Sequence, residues 1–252
     1  MKTVINEAYR KYADYIASLP SRFDSEGTML YKGRNTVKRY DAPDGSKWVV
    51  KRYKKPSLPQ AFIYTFVRKG KAERAFRNAA MFRQRSVSTP HEIAYIEEKD
   101  NGLMAYSYYI CENTDAHPIA EKLEADDFDR SLADAFARFV AKMHVSGAMH
   151  KDLNPTNVLY ETTAEGYEFS VIDINRASFT ADGSPCPTAN CLNNLTLFTG
   201  RMPLFRYVAK RYAESRGWPD SMIQAAVDCK IKHDKRWRRR KDFLKLKKFK
   251  KK

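Results

Sequence analysis

The stretch HKDLNPTNVLY, residues 150–160, ends in an apolar run, Val158-Leu159-Tyr160, that reads as the start of a buried strand. Ahead of that run stand Asp152 and, five residues later, Asn157. A polar turn feeding a strand has this composition. So does a loop that presents a proton acceptor and a metal-binding amide. Only partners elsewhere in the chain separate the two readings.

Four such partners stand in the sequence. Asp173 follows the apolar pair Val171-Ile172, which places it at the tip of a strand. Lys51 lies inside the apolar strand pattern WVVKRY, where an ammonium is costly unless it meets an anion. Glu73, near the start of the following helix pattern, can supply one. Gly33 sits at a strand-to-strand turn, where backbone amides can approach a phosphate. Phosphoryl transfer from ATP uses this set. A Lys on the phosphates is held by a helix Glu, an acid and an Asn take Mg2+, and an Asp receives the acceptor's hydroxyl proton. The spacing from Asp152 to Asn157 is that of the kinase catalytic loop H-R-D-x-x-x-x-N, with Lys151 in place of Arg. Each element alone has a plainer reading. Lys51 would be a snorkelling strand residue, Glu73 a helix-surface acid, Gly33 a lone turn glycine and His150 a structural hydrogen-bonding residue. Their order along the chain carries the kinase reading.

Periodicity organises the rest. Residues 4–18 fit a short amphipathic helix. Thr28–Lys32, Thr36–Tyr40 and Lys47–Tyr53 read as strands, the last two joined by the turn Ala42–Ser46 with its Asp-Gly pair. Pro56 and Pro59 break the pattern, and Lys71–Arg85 is a helix with Ala72, Ala75, Phe76 and Ala79 at helical spacing. Ile93–Glu98 and Leu103–Cys111 are strands. Asp127–His144 is an amphipathic helix, Asn157–Tyr160 and Tyr167–Ile172 form a strand pair, and helical sequence follows. The expected fold is α+β and two-lobed, protein-kinase-like: a strand-rich N-lobe with one helix and a mostly helical C-lobe. Its expected divisions are an N-terminal helical segment (1–27), an N-lobe (28–112), a C-lobe (113–229) and a polybasic tail (230–252).

The totals agree with a globular protein: 252 residues, 43% hydrophobic and 13% aromatic. No apolar run approaches the roughly 18 residues of a membrane span, and the N-terminus lacks the apolar core of a signal peptide. A cytosolic location and four free thiols (Cys111, Cys186, Cys191, Cys229) are expected. Of the net charge of +16, residues 230–252 carry +12, from 14 Lys/Arg against Asp234 and Asp242, so the body is only mildly basic.

HKDLNPTNVLY, together with FSVIDINRASF (169–179) and FVRKGKAERAFRNAAMFRQRSVSTP (66–90), resembles the bacterial lipopolysaccharide core kinases, the Kdo/heptose kinase family, over about Leu30–Phe179. That resemblance implies ATP-dependent phosphorylation of an inner-core sugar hydroxyl, Kdo or heptose, at the cytoplasmic face of the inner membrane. It implies Asp152 as base, Asn157 and Asp173 as Mg2+ ligands, Lys51 on the ATP phosphates paired with Glu73, Gly33 over the nucleotide, and Glu112 near the adenine hinge. Asn154 replaces the Lys that many protein kinases carry two residues after the Asp, the metal motif reads Asp-Ile-Asn, and no A-P-E-like activation segment follows. These departures favour a sugar acceptor over a protein. A RIO- or Bud32-like atypical serine protein kinase, or a non-catalytic kinase-fold binding module, are the alternatives.

The segment 230–252 interleaves Trp237, Phe243, Leu244, Leu246 and Phe249 with cations. It reads as a solvated basic helix end, as a contact for an anionic membrane surface, or as a salt-dependent contact for nucleic acid. The membrane reading suits a kinase of a sugar-containing lipid.

Overall fold

The structure, a computed structural model, describes residues 1–249, with side chains through Phe243. The chain divides into two compact units, Met1–Asp115 with Ile172–Arg176, and Ala116–Val171 with Ala177–Lys252.

The first unit is built on an antiparallel sheet. Its strands are β1 (Lys2–Ile5), β2 (Thr28–Lys32), β3 (Thr36–Asp41), β4 (Lys47–Tyr53), β5 (Glu92–Asp100) and β6 (Leu103–Glu112), in the order β1-β5-β6-β4-β3-β2. Its helices are α1 (Ala13–Arg22), α2 (Leu58–Phe62) and α3 (Lys71–Gln84). The Asp-Gly hairpin forms as expected. Gly45 adopts φ +80°, which costs a residue without a Cβ little, and Asp44 accepts the Ser46 amide at 3.0 Å.

Along β4, alternation sorts the side chains. Trp48 and Val50 join Ile16, Leu19 and Phe23 of the α1 region in one core. Tyr9, Tyr12 and Tyr15 present ring edges to Trp48 at centroid distances of 5.8, 5.5 and 5.7 Å. Lys51 and Tyr53 therefore point to the other face of the sheet. α3 packs on β5 and β6 through Ala72, Ala75, Ala79 and Phe82, all buried. Lys38, also buried, donates to the carbonyls of Phe23 (2.6 Å), Glu26 (2.7 Å) and Asp24 (3.3 Å), so its charge closes the C-terminal end of α1.

Two local expectations change. The chain opens as a strand rather than a helix: the β-branched run Thr3-Val4-Ile5 pairs along the edge of β5, from Lys2 opposite Glu97 to Ile5 opposite Ala94. Asn6 then caps a 3-10 turn at Glu7–Tyr12. Pro59 does not interrupt the chain either. It occupies the first turn of α2, where its missing N–H costs nothing, and the helix runs on as a π turn, Ile63–Val67.

The second unit is mostly helical. Its strands β7 (His117–Pro118), β8 (Ala148–Met149), β9 (Val158–Thr163), β10 (Gly166–Val171) and β11 (Ser178–Phe179) form a three-stranded sheet, β10-β9-β7, and a pair, β11-β8. Its helices are α4 (Ala120–Leu123), α5 (Arg130–Val145), α6 (Thr188–Leu195), α7 (Met202–Ser215) and α8 (Ser221–Phe249). Asp129 caps α5 by accepting the Leu132 amide at 2.9 Å, so this helix starts three residues later than its apolar stripe suggests. Residues 230–249 of the basic segment continue α8 without a break. Among the described residues no helix is long and apolar enough to cross a membrane, and all four cysteines are free.

Candidate active site

In the first unit, Asp173 stands on the short segment Ile172–Arg176. Its Oδ1 accepts Lys51 Nζ at 2.5 Å and Asn175 Nδ2 at 2.7 Å. Asn78 on α3 anchors the segment by donating to the Ile174 carbonyl at 2.7 Å. Asp173 itself has φ +55°, a left-handed conformation that L side chains rarely take. Backbone strain of this kind persists where the surroundings over-determine a residue, and it concentrates at functional positions. Lys51 meets its anion, as a lysine in an apolar strand requires, and the anion is Asp173.

Glu73 is therefore not the partner of Lys51. α3 turns its carboxylate toward the sheet edge, where it receives Arg77 Nε at 2.8 Å and Lys2 Nζ at 3.3 Å, with Lys69 at 3.9 Å. Burial opposes its charge. The bonds from Arg77 and Lys2 outweigh that burial and hold the carboxyl below the usual glutamate range. Lys2 belongs to β1, the strand that the sequence pattern disguised as helix. Its arrival at the edge of β5 gives Glu73 a cation other than Lys51.

Tyr53, two residues after Lys51 on the same face, is buried, and its hydroxyl has no hydrogen-bond partner among the described residues. The ammonium groups of Lys51 and Lys71 lie 5.3 and 5.8 Å from its ring centroid. Burial first, then the charge of Asp173, push its phenol well above the ordinary tyrosine value. Lys71 is driven the opposite way, below the ordinary lysine value, by burial and then by Arg34, Arg74 and Arg176. Cations crowd this face of the first unit.

Gly33 occupies the tip between β2 and β3, its amide donating to the Asn35 carbonyl at 3.0 Å. Glu112 ends β6. Its carboxylate accepts the Tyr9 hydroxyl at 2.5 Å and its amide donates to the His91 carbonyl at 2.9 Å, so its side chain is committed within the unit.

In the second unit, the loop before β9 is held by its own backbone. Asn157 Nδ2 donates to the Asp152 carbonyl at 2.9 Å, and the Asn157 amide to the Asn154 carbonyl at 3.0 Å. The loop amide thus binds through nitrogen, which leaves its oxygen as the atom with ligand chemistry. His150 Nδ1 accepts the Asp152 amide at 3.3 Å, the structural role expected of it. Asn154 ties the turn by accepting from Thr156 N at 3.0 Å and from Thr156 Oγ1 at 2.5 Å. Its amide also reaches Asp152 Oδ1 at 3.5 Å.

Beneath the loop runs a buried chain that local patterns do not reveal. Arg216 Nη1 donates to the Tyr212 hydroxyl (2.8 Å), which lies 2.9 Å from His144 Nδ1. His144 Nε2 lies 3.0 Å from Asn194 Oδ1, and Asn194 Nδ2 donates to the His150 carbonyl at 2.9 Å. An amide oxygen only accepts, so His144 carries its proton on Nε2 and receives the tyrosine's at Nδ1. Burial keeps this imidazole neutral, lowered to about 4. The available signal was a histidine at the end of an apolar helix stripe and an Asn-rich helix, neither tied to the loop by spacing. Beside the loop, a cavity of about 600 Å³ is lined by Lys151, Ser178, Thr180, Asn190, Asn193 and their neighbours.

The residues present fit a magnesium nucleotide. Among the described residues no cluster of three or more His, Cys, Asp or Glu could hold a metal by itself. Mg2+ in kinases needs none, since one or two protein oxygens are completed by phosphates and water. The orphaned Tyr53 hydroxyl and the cations around it suit a polar, anionic ligand.

The chain matches the profile of the lipopolysaccharide kinase (Kdo/WaaP) family over residues 22–184. No curated sequence matches it. Among solved structures it is similar to WaaP in complex with acyl carrier protein, at 17% identity and a TM-score of 0.58, over 91% of this chain and 99% of that one. A further likeness, at 14% identity and a TM-score of 0.46, is to a Rio2 kinase–ADP/Mg2+–phosphoaspartate complex from Chaetomium thermophilum, over 87% of this chain and 76% of that one. The first likeness bears out the kinase-like fold. The profile covers the loop, the Asp173 segment and strands β2 to β11, and the chain belongs to the lipopolysaccharide kinase (Kdo/WaaP) family.

Proposed function

We propose that the protein transfers the γ-phosphate of ATP to a sugar hydroxyl of the lipopolysaccharide inner core, on Kdo or heptose. Asp152 takes the acceptor's proton. Lys51 presents its ammonium, beside Asp173, to the nucleotide phosphates, and the Gly33 turn supplies backbone amides over them. Asp173 and the oxygen of Asn157 serve as metal ligands. Magnesium, when bound, would neutralise charge developing on the transferred phosphoryl group. Glu112 contributes through its backbone at the base of the nucleotide, because its carboxylate serves Tyr9.

The observation that carries the sugar acceptor is the cavity beside the loop. Among largely apolar walls that include Met149, Phe179 and Leu197, the side chains of Asn190, Asn193, Ser178 and Thr180 supply amides and hydroxyls that can meet sugar hydroxyls. The mutual crowding of Lys71, Arg34, Arg74 and Arg176 supports an acceptor that bears carboxylate or phosphate groups. A cytoplasmic site of action at the inner membrane face follows from that substrate. The exposed Trp237 and Phe243 among the cations of α8 support contact with an anionic membrane, with nucleic acid as the weaker alternative. Leu244, Leu246 and Phe249 of that reading, and Lys250 to Lys252, lie outside the residues whose side chains are described.

The test is transfer of label from γ-labelled ATP to purified core lipopolysaccharide with Mg2+. Asp152→Asn is expected to lower turnover by a factor of about 100 to 10,000 while nucleotide binding persists. Label appearing on protein and never on lipopolysaccharide would replace the sugar acceptor with a protein one. Full activity of the Asn variant would remove Asp152 as the base.

A further inference from the structure

We infer that the helical segment Leu58–Val67 is a membrane-docking element that inserts its apolar stripe into the interface of an anionic lipid bilayer. Leu58, Phe62 and Phe66 recur at i, i+4 and i+8, with Ile63 and Val67 beside them. Their exposures are 77%, 55%, 65%, 43% and 73%. The usual pattern of a surface helix is inverted here. The inward positions are small or polar: Ala61 is buried, and Thr65 Oγ1 donates to the Ala61 carbonyl at 2.7 Å while accepting the Met104 amide of β6 at 2.9 Å. The large side chains face outward. Phe62 and Phe66 rest against each other, ring centroids 4.9 Å apart, and extend the patch. A contiguous exposed patch of this kind marks an interaction surface.

Charge identifies the occupant. From Lys54 to Ala72 the sequence holds five cations (Lys54, Lys55, Arg68, Lys69, Lys71) and no Asp or Glu. Lys54, Lys55, Arg68 and Lys69 are exposed at the two ends of the stripe. The acids that reach them do so weakly: Asp100 pairs with Lys55 at 3.0 Å, both well exposed, and Glu73 lies 3.9 Å from Lys69. Aromatic and aliphatic side chains flanked by cations match the chemistry of an anionic headgroup layer over acyl chains. A second copy of the chain is a poorer fit. A stable dimer buries about 800 Å² per partner, more than one stripe of ten residues offers.

The experiment uses full-length protein and sedimentation with vesicles of phosphatidylcholine, with or without phosphatidylglycerol. Salt high enough to screen the basic α8 isolates the apolar contribution. Wild type is expected to sediment with the anionic vesicles, and Phe62→Ser/Phe66→Ser to lose about tenfold or more in affinity, with an unchanged melting temperature because both side chains are exposed. In a separate variant, Phe66→Trp should be quenched by brominated acyl chains beyond the wild-type background. Undiminished binding of the double variant, or absence of added quenching at Trp, overturns the proposal. So does light scattering that shows a wild-type dimer dissociated by the same substitutions.

Discussion

Asn194 Nδ2 lies 2.9 Å from the carbonyl oxygen of His150, two residues before Asp152, and its other amide atom is held by His144 at 3.0 Å. The loop that carries the proposed base is thus braced by a buried chain ending at Tyr212 and Arg216. Both atoms of the amide are used, so its orientation is set by the network.

Asn194→Leu should therefore lower kcat with little change in the KM for ATP, because it loosens the loop without touching Lys51 or Gly33, the residues proposed to meet the nucleotide. Loss of the bonds to His144 and to the His150 carbonyl should cost about 1–3 kcal/mol of stability. Steady-state kinetics together with denaturant unfolding check this. An unchanged kcat in a destabilised variant would make the chain structural only.

His144 predicts a pH dependence of stability. Its folded value, about 4, lies below the ordinary 6.5. An imidazole depressed by folding binds its proton more readily in the unfolded chain. The contribution is complete above about pH 6.5 and is lost as pH falls toward 4, on the order of 3 kcal/mol in all. Urea midpoints measured across that window should fall for wild type and flatten in His144→Gln.

Asp173 combines a left-handed backbone with a proposed metal-ligand role. Asp173→Gly should abolish transfer yet destabilise the fold less than Asp173→Ala, because glycine takes φ +55° without the Cβ penalty. Thermal melting of the two variants decides the point. Equal melting temperatures would mean that the left-handed conformation carries no strain.

Glu73 separates two accounts of the N-terminal unit. If it held Lys51, Glu73→Gln would collapse turnover. Its bonds to Lys2 and Arg77 predict instead a loss of about 1 kcal/mol in stability, since both partners are exposed, with kcat within a fewfold of wild type. Parallel assays of Glu73→Gln and Lys51→Met check it, and Lys51→Met should lose transfer.

Much of this protein is written in local pattern. Alternation in β4 placed Lys51 on the face opposite Trp48, the Asp-Gly pair made the Ala42–Ser46 hairpin, and the five-residue step from Asp152 to Asn157 closed a loop through a bond between those two residues. Such features depend on neighbours a few residues away, and spacing is enough to read them. What only the tertiary structure decided is which distant groups meet. Lys51 pairs with Asp173, 122 positions on, while Lys2 reaches Glu73 across 71 and Asn194 braces His150 across 44. A lysine in an apolar strand announces that it needs an anion, but Glu73 and Asp173 answer that need equally well in one dimension. Strand β1, docking at the edge of β5, satisfied Glu73 and left Asp173 to Lys51. The exposed stripe of α2 became visible only when Ala61 and Thr65 were seen to face inward, because helical spacing shows that a face exists and not which way it turns.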